Sequence, residues 1–203
     1  MQAITNAKRG GYSKSSIEGA IARGQGRSAS GAPLESMTIE AVVPPVAMIV
    51  DCTTDSKARV LQDLRVMMKK YGARETPTAY LFEKRGRSIF AAKDEVGADE
   101  VLEVALEAGV IDVEQDEDGR IIVDTGVADT KTAEQLIVDS LKLEIDSSET
   151  VWHPNSDTQV EDVEEATYTT LSKLEEELED YDDVTGVFHN LVPTDSAPAP
   201  VPP

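Results

Sequence analysis

Cysteine is almost absent. Cys52 stands alone in 203 residues, so the chain closes no intrachain disulfide and offers no sulfur set for a structural zinc. The lone thiol follows an apolar strand and reads as a small core hydrophobe. The two histidines, His153 and His189, each end a predicted strand with no cysteine at ligand spacing, so no metal is expected there. Aromatic residues make up only 4% of the chain. Tyr71, Tyr80 and Phe82 lie near the basic residues but have core-like spacing, which argues against base stacking and sequence reading of single strands. The longest apolar run, "AVVPPVAMIV", is interrupted by Pro44 and Pro45 and falls short of the ~20 apolar residues a bilayer span needs. No G-x-S-x-G, P-loop or dinucleotide glycine pattern occurs; "GQGRSASG" has glycines but reads as linker. No carboxylate sits in an apolar context that would tune it for acid or base work. The expectation is a protein without catalytic residues, metal, cofactor, small-molecule substrate or membrane partner.

Charge is what the chain has in excess. The formal net charge is −20, unevenly placed. Residues 1–87 hold 14 Lys/Arg against 8 Asp/Glu, a balance of +6, while residues 88–203 hold 5 against 31, a balance of −26. The first part could face a polyanion and the second would be repelled by one. The basic excess gathers around "DCTTDSKARVLQDLRVMMKKYG". At 100° per residue, Val60, Leu61, Leu64, Met67, Met68 and Tyr71 share one side of a helix. Arg59, Arg65, Lys69 and Lys70 fall opposite, Thr54 or Asp55 is placed to cap the start, and Gly72 to end it. "TAYLFEKRG" then reads as a strand leaving into a basic turn with Lys84, Arg85 and Arg87.

The remaining pattern supplies a fold. "SKSSIEGAIARG" reads as a helix capped by Ser15 and stopped by Gly24, with a linker after it. "MTIEAVV" and "VAMIVDC" read as strands separated by Pro44 and Pro45. Residues 88–153 run β-α-β-β-α-β, the ferredoxin-like split unit, with a hairpin around Asp118-Gly119 and a helix presenting Ala133, Leu136, Ile137, Ser140 and Leu141 on one face. That hairpin imitates a calcium loop at Glu114, Asp116, Asp118 and Gly119, but Thr125 stands where a bidentate Glu is required, so a solvated tip is the expectation. Residues 160–181 read as a long acidic helix with a narrow apolar stripe, followed by the strand "VTGVFHNLV". Helix and strand lack a sheet of their own, and returning them to residues 37–84 inserts one domain in another. The expected architecture is α+β. A residual helical segment and linker (1–31) precede a discontinuous middle domain (32–87 with 158–192), which carries an inserted acidic ferredoxin-like domain (88–157). A Pro-rich disordered tail (193–203) follows.

The segments "YSKSSIEGAIARGQG", "VAMIVDCTTDSKARVLQDLRVMMKKYG", "TAYLFEKRG", "ALEAGVIDVEQDEDG" and "LEDYDDVTGVFHNL", in that order from Ala3 to Val192, resemble the YebC/TACO1 family. The resemblance implies a basic helical first domain and two α+β domains, the last inserted in the middle one. It also implies no enzymatic activity. Bacterial members are described as DNA-binding transcriptional regulators and as ribosome-associated factors; mitochondrial members are translational activators. Two features depart from the family pattern. An "AGHSKW"-like opening with further basic helices is missing, and a Gly-Pro-Gly-Gly loop is replaced by "VVPPV". Residues 3–26 match family sequence and so are not expected to form a cleavable presequence; a missing upstream exon or a shortened gene model would explain both the abrupt start and the absent targeting signal.

The candidate binding residues are Arg59, Arg65, Lys69, Lys70, Arg74, Lys84, Arg85 and Arg87, a cluster suited to phosphate neutralisation. The competing reading pairs the basic helix with the acidic 160–181 helix of the same chain. With the resemblance, the leading expectation is a regulator of mitochondrial translation that docks on the ribosome or RNA in the matrix. A DNA-binding transcriptional regulator is the alternative, as is a shortened member that has lost binding. A chain with no targeting segment upstream would be cytoplasmic.

Overall fold

The computed structural model describes residue 11, residues 13–28 and residues 31–192. The first ten residues and the tail read as disordered lie outside the described residues. The chain divides into two compact units, residues 1–78 with 160–203 and residues 79–159. The fold is α+β: each unit is a small sandwich of helices on an antiparallel sheet.

In the first unit, helix α1 (Lys14–Gly24) precedes strands β1 (Glu35–Val43) and β2 (Val46–Thr54). Its N-cap is Ser13, whose Oγ accepts the Ser16 N–H at 3.0 Å, and not the expected Ser15. Pro44 and Pro45 form the turn of the β1–β2 hairpin, where a missing N–H costs no ladder bond. Helix α2 (Lys57–Lys70) follows, with Ser56 as its N-cap residue; Thr54 contributes by accepting the Ser56 N–H on its hydroxyl. Gly72, at φ +72°, ends the helix in a left-handed conformation that side chains disfavour. Strand β3 (Arg74–Glu75) is short.

The chain returns to this unit after the second one. Val160 makes a parallel bridge to Leu191, and only then does the acidic helix begin. It spans Glu165–Glu179 (labelled α5 below) rather than starting at 160. Strand β8 (Val184–His189) completes a sheet of order β3-β1-β2-β8. Ile39, Met48, Val50 and Cys52 from the sheet meet Val60, Leu64 and Met68 from α2 and Leu171, Leu174 and Leu178 from α5 in one core. The apolar stripes expected on both helices are therefore core faces.

The second unit runs β4 (Phe82–Phe90), α3 (Ala98–Ala105), β5 (Val110–Gln115), β6 (Ile121–Gly126), α4 (Thr130–Leu141) and β7 (Ile145–Pro154). Its sheet order, β5-β6-β4-β7, is ferredoxin-like. Phe90, Val101, Ala105, Ile121, Val123 and Ile137 form a separate core. Leu136, expected on the inner face of α4, is instead 37% exposed.

Strand β4 corrects the expectation of a basic turn. Residues 82–90 are one continuous strand paired with β6 and β7, so Lys84, Arg85 and Arg87 are strand residues of the second unit. Gly86 is not a turn glycine. Any Cβ there would lie 2.9 Å from Thr130 Cβ, so glycine lets α4 approach the strand.

Candidate nucleic-acid interface

The apolar period of α2 turns Val60, Leu64 and Met68 inward and so directs its cations outward. Arg59, Arg65, Lys69 and Lys70 are exposed, as is Arg74 just beyond the helix. These five stand on the first unit; Lys84, Arg85 and Arg87 stand on the second.

Most of these cations already have a partner in the same chain. Arg59 Nη2 donates to Asp183 Oδ2 at 2.5 Å and its Nη1 to the Tyr181 hydroxyl at 2.8 Å. The Tyr181 hydroxyl in turn donates a hydrogen bond to Asp63 Oδ2 at 2.6 Å. Arg65 grips Glu75 with two bonds, 2.7 and 3.2 Å. Lys70 Nζ lies 2.6 Å from Glu177 Oε2 on α5, an oxygen that also accepts the Tyr71 hydroxyl. The Arg65 guanidinium holds Glu75 below the usual carboxylate range, and Lys70, then Tyr71, do the same for Glu177. Basic α2 and acidic α5 thus pair directly. The Arg65–Glu75 and Lys70–Glu177 pairs are exposed and screened by water, whereas Arg59 is held by the buried Asp183. Lys69 and Arg74 carry no ion pair among the described residues.

On β4, Arg87 makes a bidentate pair with Asp124 at 2.7 and 2.8 Å. Arg85, whose side chain is only 14% exposed, lies between Glu83 and Asp124. Lys84 Nζ sits 4.5 Å over the Trp152 ring. Asp124 is the hub of this cluster, with a 5% exposed carboxylate that also lies 4.0 Å from His153. Burial, then Arg85, lowers the His153 pKa, so this imidazole is neutral at pH 7. Arg85 and Arg87 are organised around a buried carboxylate and are not a free phosphate-binding pair.

Asp183 was not singled out in the sequence and organises the first unit. Its carboxylate accepts Arg59, Arg23 Nη2 at 3.3 Å and the Thr54 hydroxyl at 3.2 Å, while Arg23 also donates to the Asp182 carbonyl. The sequence signal was "YDDVTG", an acidic turn directly before a strand. The hairpin tip is explained without a cation. Asp116 accepts the N–H groups of Asp118 and Arg120 and the Arg120 side chain, and Gly119 takes φ +78°. Among the described residues no group of three or more His, Cys, Asp or Glu is placed to hold a metal. Cys52 is buried, and burial pushes its thiol up to about 12, so the folded state keeps it protonated.

These features define a two-unit α+β protein that presents a set of helix-borne cations on its first unit. The chain belongs to the TACO1/YebC family: residues 34–191 match the model of that family's second and third domain. It is 35% identical over 193 residues to a "Probable transcriptional regulatory protein" of Syntrophotalea carbinolica, covering 93% of this chain and 75% of that one. A protein of the same description from Mycolicibacterium gilvum is 35% identical over 202 residues, covering 96% and 77%. The crystal structure of conserved hypothetical protein Aq1575 from Aquifex aeolicus superposes with a TM-score of 0.73 at 30% identity, over 97% of this chain and 81% of that one.

Proposed function

We propose that this protein regulates transcription by docking on duplex DNA through the cations of α2 and the residue that follows it. The observation that carries the reading is the pair Lys69 and Arg74, exposed and without a carboxylate partner among the described residues, beside two cations, Arg65 and Lys70, whose partners Glu75 and Glu177 are exposed enough to be exchanged for phosphate. Counterion release then supplies the affinity. The small aromatic content leaves no stacking platform, so contact is to the backbone and sequence preference is low. Relatives described as probable transcriptional regulatory proteins support the same reading.

The translational reading, an activator on the ribosome or RNA in the mitochondrial matrix, draws on the same charges and on family kinship. The two are separated by measuring binding to a 20-base-pair duplex and co-sedimentation with ribosomes side by side in low salt. Duplex binding without co-sedimentation is the expected result. Co-sedimentation without duplex binding would replace transcription by translation, and neither would remove α2 from the mechanism.

A further inference from the structure

One stretch of the second unit carries charge of a single sign. Residues 94–119 hold eleven Asp/Glu and no Lys or Arg. They include α3, the 3-10 turn Leu106–Ala108 that continues it, and β5, which borders its sheet and pairs with β6 alone. Helix α3 packs inward through Val101 and Ala105. One position on, about 100° round the helix, stand Leu102 and Leu106. Strands β4 and β5 both run antiparallel to β6, so they are parallel to each other, and in the right-handed crossover between them that flank of α3 lies over β5. Leu102 is 41% exposed, Leu106 67%, and Ile111 at the head of β5 50%. Asp99, Glu103 and Glu107 run along the solvent side of the two leucines, all exposed and none with an ion pair among the described residues. On α2, by contrast, Arg59, Arg65 and Lys70 are already paired within the chain.

We propose that this flank of α3 receives a basic amphipathic helix of a partner protein. The apolar stripe of the guest covers Leu102, Leu106 and Ile111, and Lys or Arg along its margin meets Asp99, Glu103 and Glu107. The border of β5 is poorly suited to an added strand. Ile111 is an extra residue between the pairs Val110–Thr125 and Asp112–Asp124, a bulge that interrupts the ladder, and the Val113 N–H is taken by Asp112 Oδ1 at 2.9 Å. The guest therefore binds through side chains, which a helix presents at the spacing of the leucines. A second copy of this chain is a poor guest, because it carries a net charge of −20 and three of the cations on its basic helix are taken. A nucleic acid is repelled by the same carboxylates that attract Lys and Arg. The inference uses the second unit alone and does not rest on the DNA reading above.

The test is a titration of the full chain, read by amide and methyl chemical shifts, with a synthetic peptide of leucine, lysine and alanine about five helical turns long whose leucines share one face. The shifts should centre on Leu102, Leu106 and Ile111. A peptide of the same composition with its leucines scattered round the helix should bind about tenfold more weakly. Leu106→Ser removes an exposed anchor and should weaken the first peptide by about tenfold. Glu103→Lys combined with Glu107→Lys should weaken it by about threefold to tenfold and make binding less sensitive to salt. Unmoved resonances at Leu102, Leu106 and Ile111 in millimolar peptide would overturn the proposal. So would equal binding of the scattered peptide, which would leave a contact of charge alone, or shifts confined to acidic α5. Self-association that Leu106→Ser abolishes would give the flank to a second copy instead, and movement of the same resonances by a DNA duplex would give it to nucleic acid.

Discussion

Replacing Asp183 with alanine probes the first unit where three elements converge. The 7% exposed carboxylate gathers Arg59 from α2, Arg23 from α1 and the Thr54 hydroxyl from β2. Thr54 is fully buried, so losing this acceptor leaves a hydroxyl short of a partner. A charge-assisted bond to a buried acceptor contributes about 1.5–3 kcal/mol, but Arg59 and Arg23 are 48% and 42% exposed and water recovers part of that. The net cost is about 2–3 kcal/mol, or roughly 30- to 150-fold in the equilibrium for opening. Cys52 reports that opening. It is 1% exposed on β2, and its thiol is held up to about 12 by burial and the nearby Asp51 and Asp183. A thiol reagent in excess labels it only when the unit opens, so Asp183→Ala should speed labelling by that factor in native buffer. Acceleration below about threefold would refute the assignment of Asp183 as the tie between these elements.

Glu175→Gln tests a partly buried carboxylate on α5. Burial, then Glu179, pushes Glu175 up to about 7, so the native state holds its extra proton between about 4.5 and 7 and loses stability as pH rises through that window. His189, with Nε2 3.8 Å from Glu175 Oε1, moves the opposite way. Burial keeps it neutral, and its contribution is lost as pH falls below 6.5. Relative to the parent, Glu175→Gln should gain about 1–3 kcal/mol at pH 8 and almost nothing at pH 4, read by urea melts; equal gains at both would count against a raised Glu175. Gly86→Ala should destabilise the second unit by about 1–3 kcal/mol, because the new methyl overlaps Thr130. Trp152, the sole tryptophan, reports it by fluorescence; an unchanged midpoint would show that α4 can back away.

Local chemistry made much of this legible in advance. The apolar period of α2 and the stop at Gly72 set that helix, and the β-α-β-β-α-β order set the second sheet. Errors arose where tertiary contact overrode local signals. Gly86 reads as a turn in isolation but serves as clearance for Thr130. Val160 fits the apolar stripe of α5 yet is taken by a bridge to Leu191. For the candidate interface, the cations could be read directly and their partners could not. Lys70 and Glu177 are 107 positions apart, Arg59 and Asp183 are 124 apart, and no local pattern couples such residues.

The salt dependence of duplex binding tests the central claim most directly. Log affinity against log salt falls by about 0.9 for each phosphate neutralised. With Lys69 and Arg74 engaged the slope is about −2, and with Arg65 and Lys70 also released from their carboxylates it approaches about −3.6. The double variant Lys69→Glu, Arg74→Glu should flatten the parent's slope by about 2 and weaken binding at every salt concentration. A duplex complex whose slope is the same in parent and double variant would place the phosphates elsewhere and contradict the account.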